Sequence, residues 1–371
     1  MKYIKNIIER YKHIRSIKQL QQVPKGMYAF VGFGNHSTSN LYPVLGYLHV
    51  PLKYICCKSK DKAQLINTAY PHVRATISLQ EILDDEEVKG IFVAVTPQEH
   101  FHIASEVLKS GKAIFIEKPP CQSLDELMQL INISIETKTP SVVGLQKRHA
   151  PVIQILKKEL AKNKKPVTYN LKYLTGAYPE GEAMMDLYIH PLDYVTYLFG
   201  KAEVKCVENI EDHTLMLLLK HNNATGVLEL STAYSWTEAK EYLTINTQHG
   251  IYQMEQMDSL TFQSKQRVFM GVPMEKINTQ KMVTIDLLGR NNFVPTIKNN
   301  PIYTQGYFDT IKNFVDMVEC GKASQVQSFA NFVETYSLLE SIRSLVKQFR
   351  VGYAGQRQVL CRGKQFYQAT D

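Results

Sequence analysis

Apolar positions fall into two regimes along the chain. Over residues 27–145, short unbroken apolar runs alternate with segments whose apolar residues recur at helical spacing. Met27–Val31 runs into Gly32-Phe33-Gly34, and Leu41, Val44, Leu45 and Leu48 follow at intervals of three and four, which reads as strand, glycine turn and helix. Leu52–Cys57 is the next strand and Asp61–Ala69 the next helix. Ser78-Leu79-Gln80-Glu81 forms a capping box that opens a short helix. Gly90–Thr96 has no alternation, as expected of a strand buried on both faces of a parallel sheet. A helix from about Glu99 stops at Gly111, the strand Ala113–Glu117 follows, a second capping box (Ser123-Leu124-Asp125-Glu126) starts another helix, and Ser141–Leu145 adds a strand. This alternation predicts an α/β fold with a doubly wound parallel sheet that binds ligands beyond the carboxyl ends of its strands.

From about residue 166 the period changes. After one helix around Asp186–Phe199, apolar and polar residues alternate over Val204–Val207, Thr214–Lys220, Gly226–Tyr234 and Tyr242–Thr247, with turn-rich joints such as His221–Gly226. This predicts a second domain with a large, mainly antiparallel sheet. A last helical stretch over about Tyr307–Arg350 carries the apolar stripe Phe308, Ile311, Phe314, Val315 and Val318.

The 371 residues suffice for about two domains. With 44% hydrophobic and 21% charged residues, the composition excludes a disordered or collagenous chain. The apolar runs Ile91–Val95 and Leu215–Leu219 have strand length, so a soluble protein is expected. Six cysteines without a CxxC or regular spacing read as reduced thiols of a cytoplasmic protein, and no His/Cys/Asp/Glu set has metal-ligand spacing. The formal net charge of +8 is uneven: residues 1–25 carry +6 and residues 347–371 carry +4, leaving the body at −2. That distribution argues against a nucleic-acid binder and sets apart a basic extension (1–25) and a basic tail (351–371). The extension reads as an amphipathic helix that packs on the globule, stands solvated, meets a partner subunit or touches an anionic surface. Its interrupted apolar positions do not form a signal peptide.

Gly32-Phe33-Gly34-Asn35-His36-Ser37 is a G-x-G-x-x-G fingerprint with Ser in the last place. In such a turn the first Gly permits the tight bend, the second lets backbone approach a pyrophosphate, and the third lets helix and strand pack closely. The second strand ends Cys56-Cys57-Lys58-Ser59-Lys60-Asp61, without a carboxylate where a free ribose would be held. Lys58, Ser59 and Lys60 suit a 2′-phosphate, which favours NADP over NAD. An exposed basic turn, with Asp61 supplying the acid, is the competing reading.

Thr96-Pro97, Gly111-Lys112 and Glu117-Lys118-Pro119 resemble motifs of the glucose-fructose oxidoreductase / inositol dehydrogenase / rhizopine-catabolism (Gfo/Idh/MocA) family. Gly144-Leu145-Gln146-Lys147-Arg148-His149-Ala150-Pro151 is similar to its Gly-aromatic-Asn-x-Arg-Phe-x-Pro crossover segment, and Asp186-Leu187-Tyr188-Ile189-His190-Pro191-Leu192-Asp193 to its Asp-x-x-x-His-x-x-Asp helix. The resemblance, over about residues 27–350, implies a Rossmann domain (26–148) followed by a substrate and oligomerisation domain (149–350) whose open sheet joins subunits. It also implies hydride transfer between NAD(P) and a sugar, cyclitol or sugar nucleotide. On a helix, Asp186 and His190 project from one face, so the carboxylate can orient the imidazole, and His190 suits a general base. Lys118 can donate to the reacting oxygen, Asp193 can accept from a neighbouring hydroxyl, and Arg148 is a candidate for positioning substrate. The cofactor set implied is Gly32, Gly34, Asn35, His36, Ser37, Lys58, Ser59, Thr96, Pro97, Glu117 and Lys118, with His100 or His102 near the nicotinamide. Surface pairing of Asp186 with His190 and a solvated Lys118 are the plain alternatives. Tyr173, Tyr178 and Trp236 read as core or wall. Ser37, Lys58 and His149 depart from the family pattern. The same fold also suits a non-catalytic sugar or nucleotide sensor, or a redox-neutral enzyme with tightly held NAD.

Overall fold

A computed structural model describes residues 2–21, 23–179, 181–265, 268–274, 283–291, 293, 296–321, 327–352 and 360–361. In chain order the first elements are α1 (Lys2–Gln21), β1 (Met27–Val31), α2 (Tyr42–Tyr47), β2 (Leu52–Cys56), α3 (Lys60–Ala69), β3 (Arg74–Thr76), α4 (Leu79–Leu83), β4 (Val88–Val93), α5 (Pro97–Lys109), β5 (Ala113–Glu117), α6 (Leu124–Thr137) and β6 (Ser141–Gly144). There follow α7 (Pro151–Leu160), β7 (Val167–Leu174), α8 (Ile189–Phe199), β8 (Glu203–Ile210), β9 (Thr214–Lys220), β10 (Ala224–Ser231), β11 (Lys240–Asn246), β12 (Gly250–Glu255) and β13 (Ser259–Ser264). The last are β14 (Val268–Phe269), β15 (Val272–Pro273), β16 (Thr284–Gly289), α9 (Pro301–Thr304), α10 (Tyr307–Cys320), α11 (Val333–Gly352) and β17 (Leu360–Cys361). Two compact units result, one from Met1–Pro120, Leu130–Gly144 and Thr310–Ser328, the other from Cys121–Gln129, Leu145–Asp309 and Phe329–Asp371.

The first unit holds a six-stranded sheet in the order β3-β2-β1-β4-β5-β6, every pair parallel. This is the doubly wound order, in which strand order reverses between β1 and β4. Continuous apolar strands are the expected signature of a sheet covered on both faces, and all five residues of β5 are buried. Both capping boxes are made: Ser78 Oγ accepts from the Glu81 amide at 3.4 Å and Ser123 Oγ from the Glu126 amide at 3.2 Å. The helical stretch expected over 307–350 is two helices, α10 and α11, and α10 supplies Phe314 to the core of this sheet. Its ring centroid lies 4.9 Å from that of Phe92 and 5.9 Å from that of Phe115. Glu319 at its end accepts from the Lys25 and Gly26 amides and from the Tyr28 hydroxyl.

The second unit is built on a nine-stranded sheet, β16-β13-β12-β11-β7-β10-β9-β8-β17, in which only β7 and β10 run parallel. The expected antiparallel segments appear as β8 to β11, and β7, β12, β13 and β16 extend them. Leu215, Leu217 and Leu219 are buried on one face, whereas Met216 and Leu218 on the other are half-exposed, the alternation of a sheet covered on one side. Gly226 stands opposite Tyr169, and a Cβ there would fall 2.0 Å from the tyrosine ring, so glycine leaves room for the ring to stack on Phe199 at 4.5 Å.

Among the described residues no helix is long and apolar enough to cross a membrane. The basic tail expected over 351–371 lies outside the described residues apart from Val351, Gly352, Leu360 and Cys361.

Candidate cofactor and substrate sites

In the first unit, β1 turns at Gly32, whose φ of +108° suits only glycine. A Cβ at Gly32 would lie 2.0 Å from the Ala94 carbonyl oxygen, so the turn rests directly on the end of β4. A Cβ at Gly34 would meet nothing within 4 Å, so the backbone here faces open space that a phosphate can approach. Ser37, 1% exposed in the place of the third glycine, ties the turn from inside: its Oγ accepts from the Gly34 amide at 3.0 Å and donates to the Gly34 carbonyl at 2.9 Å. A π-helical turn over Ser37–Leu41 leads into α2. Asn35 and His36 are exposed beside it.

His36 Nε2 lies 3.4 Å from Glu117 Oε2, which joins the glycine turn to the end of β5. Glu117 is buried, and its Oε2 also accepts from the Lys118 amide at 3.3 Å. Gly144 on β6 makes room for this carboxylate, since a Cβ there would lie 2.7 Å from Oε1. Lys118 is half-buried just past the strand. Thr96 caps α5 through its backbone conformation and Pro97 takes the first helical position. Of the two candidate histidines, His102 is exposed beside Glu106, whereas His100 is 1% exposed and its Nδ1–H donates to the Pro119 carbonyl at 2.6 Å. Burial lowers the His100 pKa, so the imidazole is held neutral.

Beyond β2, Lys58, Ser59 and Lys60 are exposed. Ser59 Oγ caps α3 by accepting from the Lys62 amide at 3.3 Å, and Lys58 Nζ stands 3.7 Å from Glu99. Lys62, which sequence reasoning passed over, donates to the Phe33 carbonyl and brings a cation to the glycine turn. Its place in the first turn of α3 was the available signal. The forced glycine at 32, the open approach at 34 and the helix start behind them fit a dinucleotide pyrophosphate.

In the second unit, Asp186 lies in a π-helical turn, Met184–Tyr188, and α8 begins at the next residue with His190 in its first turn. A Cβ at Gly181 would lie 2.3 Å from Asp186 Oδ2, so this glycine leaves room for the carboxylate. His190 is 9% exposed. Met184 and Tyr188 of the π turn line a cleft of about 880 Å³, together with Tyr178, Glu182, His213 and Arg343. Arg343 Nε donates to Glu182 Oε1 at 2.8 Å. Trp236 borders the same loop, its indole donating to the Ala177 carbonyl at 2.8 Å.

The crossover segment is a short 3-10 turn, Gln146–His149, that buries two cations side by side. Arg148 pairs with Asp193, and Lys147 Nζ lies 2.7 Å from both carboxylate oxygens of Glu241, with the Tyr173 ring 5.0 Å away. Glu241 stands directly opposite Tyr173 in the sheet, a placement no local pattern announces.

The sheet order and glycine turn define a dinucleotide-binding α/β class. Residues 27–145 match the family model described as "Oxidoreductase family, NAD-binding Rossmann fold" (GFO_IDH_MocA), so this stretch of the chain is similar to the Gfo/Idh/MocA oxidoreductases. The chain is 24% identical over 234 residues, 56% of its length and 67% of the other's, to the uncharacterized protein YMR315W of Saccharomyces cerevisiae. It is 29% identical over 138 residues, 34% of its length and 40% of the other's, to scyllo-inositol 2-dehydrogenase (NAD(+)) of Bacillus subtilis. A dehydrogenase from Chromobacterium violaceum shares the fold with a TM-score of 0.75, at 16% identity over 90% of this chain and all of that one.

Proposed function

We propose that this protein is an NAD(P)-dependent dehydrogenase that transfers a hydride between the nicotinamide and a hydroxyl or keto carbon of a sugar, cyclitol or sugar nucleotide. The observation that carries the proposal is the Gly32–Gly34 turn at the head of a 3-2-1-4-5-6 parallel sheet, linked through His36 and Glu117 to the strand end that bears Lys118. When bound, the nicotinamide supplies the hydride acceptor or donor at its ring. In the oxidative direction His190 serves as the general base and Lys118 as a donor to developing negative charge. Asp186, four residues before His190, orients the imidazole. The likeness to scyllo-inositol 2-dehydrogenase supports a polyol substrate. Lys58 and Lys60 support NADP over NAD, and the half-exposed sheet face with Met216, Leu218, Val227 and Tyr242 supports a homo-oligomer joined through the sheet.

Titration of the purified chain with NADH and with NADPH, read by nicotinamide fluorescence, is expected to saturate. No change with either up to about 1 mM, where binding is worth only about 4 kcal/mol, rejects the proposal. Once a substrate is found in a panel of cyclitols and sugars, His190→Asn is expected to cut turnover about a hundredfold; a near-normal rate removes His190 as the base.

A further inference from the structure

Helix α1 presents an apolar stripe to solvent. Every side chain from Ile4 to Ile14 is exposed, and the apolar residues remain so: Ile4 at 62%, Ile7 at 53%, Ile8 at 47%, Tyr11 at 65% and Ile14 at 54%. Positions 4, 7, 8, 11 and 14 share one face of an α-helix, a stripe about 120° wide at about 100° per residue. On the same wheel Lys5 and Lys12 border the stripe on one side and Arg10 on the other, with Asn6, Glu9 and His13 behind. An isolated helix of this length is marginal in water and gains its stability by covering such a face.

We infer that α1 is a docking helix for an anionic lipid surface, lying in the interface with Ile4, Ile7, Ile8, Tyr11 and Ile14 toward the acyl chains. Charge complementarity selects this occupant. The surrounding segment, residues 1–25, carries +6, so a second copy of the helix laid face to face would meet strong like-charge repulsion. A nucleic acid would neutralise the cations but leave the isoleucines in water. A lipid interface satisfies both, because long basic side chains at the borders of the stripe extend their stems along the apolar boundary and place their charges among the headgroups.

The test is co-flotation of the full chain with phosphatidylcholine vesicles, with and without phosphatidylserine. The chain is expected to float with the phosphatidylserine vesicles at least about tenfold more than with phosphatidylcholine alone, and to be released near 1 M salt, where the screening length falls to about 3 Å. Ile7→Glu/Tyr11→Glu and Lys5→Glu/Lys12→Glu are each expected to abolish flotation. Both pairs lie on exposed positions, and an unchanged near-ultraviolet circular dichroism spectrum certifies the folded body. A chain that stays in the buffer with phosphatidylserine vesicles overturns the inference. So does equal flotation on both vesicle types that Lys5→Glu/Lys12→Glu leaves intact. A doubled mass in light scattering that Ile7→Glu/Tyr11→Glu reverses, or retention of RNA, overturns it when no flotation accompanies it.

Discussion

The guanidinium of Arg148 grips the carboxylate of Asp193 through two parallel hydrogen bonds, Nε to Oδ2 at 2.9 Å and Nη2 to Oδ1 at 2.6 Å, with the residues 4% and 1% exposed. Thr335 donates to the same Oδ1 at 2.9 Å, the Asn331 carbonyl accepts from Nη2 at 3.0 Å, and the Phe332 ring lies 4.0 Å from the guanidinium. Two residues read from the sequence as substrate contacts are thus held by each other, and through Thr335 and Asn331 they tie α8 and the crossover turn to the residues around the start of α11.

Removing one member leaves the other charged and buried. Asp193→Leu is expected to cost about 3–5 kcal/mol, whereas Arg148→Met combined with Asp193→Leu costs less than the sum of those two single changes. Urea denaturation of the four proteins checks this; strict additivity would show that the pair is not coupled.

The two glycines of the turn separate folding from binding. Gly32→Ala forces a Cβ onto the Ala94 carbonyl at a positive φ and is expected to destabilise the first unit by at least about 3 kcal/mol. Gly34→Ala meets no protein atom and is expected to leave the melting curve unchanged while weakening NADH binding about tenfold or more. Fluorescence titration beside thermal melting distinguishes them, and unaltered NADH binding by Gly34→Ala would place the pyrophosphate elsewhere.

Lys58 tests the choice of cofactor. Its side chain is 76% exposed and stands 3.7 Å from Glu99, so replacement should not disturb the fold. Lys58→Glu is expected to weaken NADPH about tenfold and to change NADH by less than about twofold, as one exposed charge-assisted contact would. Equal losses for both cofactors would show that Lys58 does not meet a 2′-phosphate.

Buried histidines make stability depend on acid. Burial lowers the pKa of both His100 and His221, while each also donates or accepts hydrogen bonds inside its unit. In the unfolded chain both titrate near about 6.5. Below that pH the unfolded state binds more protons than the folded one, so stability that is fully present above about 6.5 declines as pH falls toward the lowered folded values. Urea midpoints are therefore expected to drop between about pH 7.5 and 5.5. His100→Asn, which keeps a donor for the Pro119 carbonyl but does not titrate, should flatten that slope; an unchanged slope would exclude His100 as a contributor.

The sequence by itself determined the parallel sheet of the first unit, because strands buried on both faces are continuous apolar runs, and because the Gly34–Ser37 turn and the Ser78 cap are made by bonds reaching only three residues. The glycine turn and the Glu117-Lys118-Pro119 and Asp186…His190 elements were legible for the same reason: each is a local pattern. Tertiary structure alone decided the partners. Arg148 meets Asp193 across 45 residues and Lys147 meets Glu241 across 94, and Phe314 enters a core whose strands end long before it. A buried charge must find its counter-charge wherever the fold brings one, and a gap in a sheet's covering is filled by whichever apolar helix returns to it. Spacing along the chain records neither. The π turn that carries Asp186 belongs with these, since an extra residue inserted into a helix is visible only in the backbone that accommodates it.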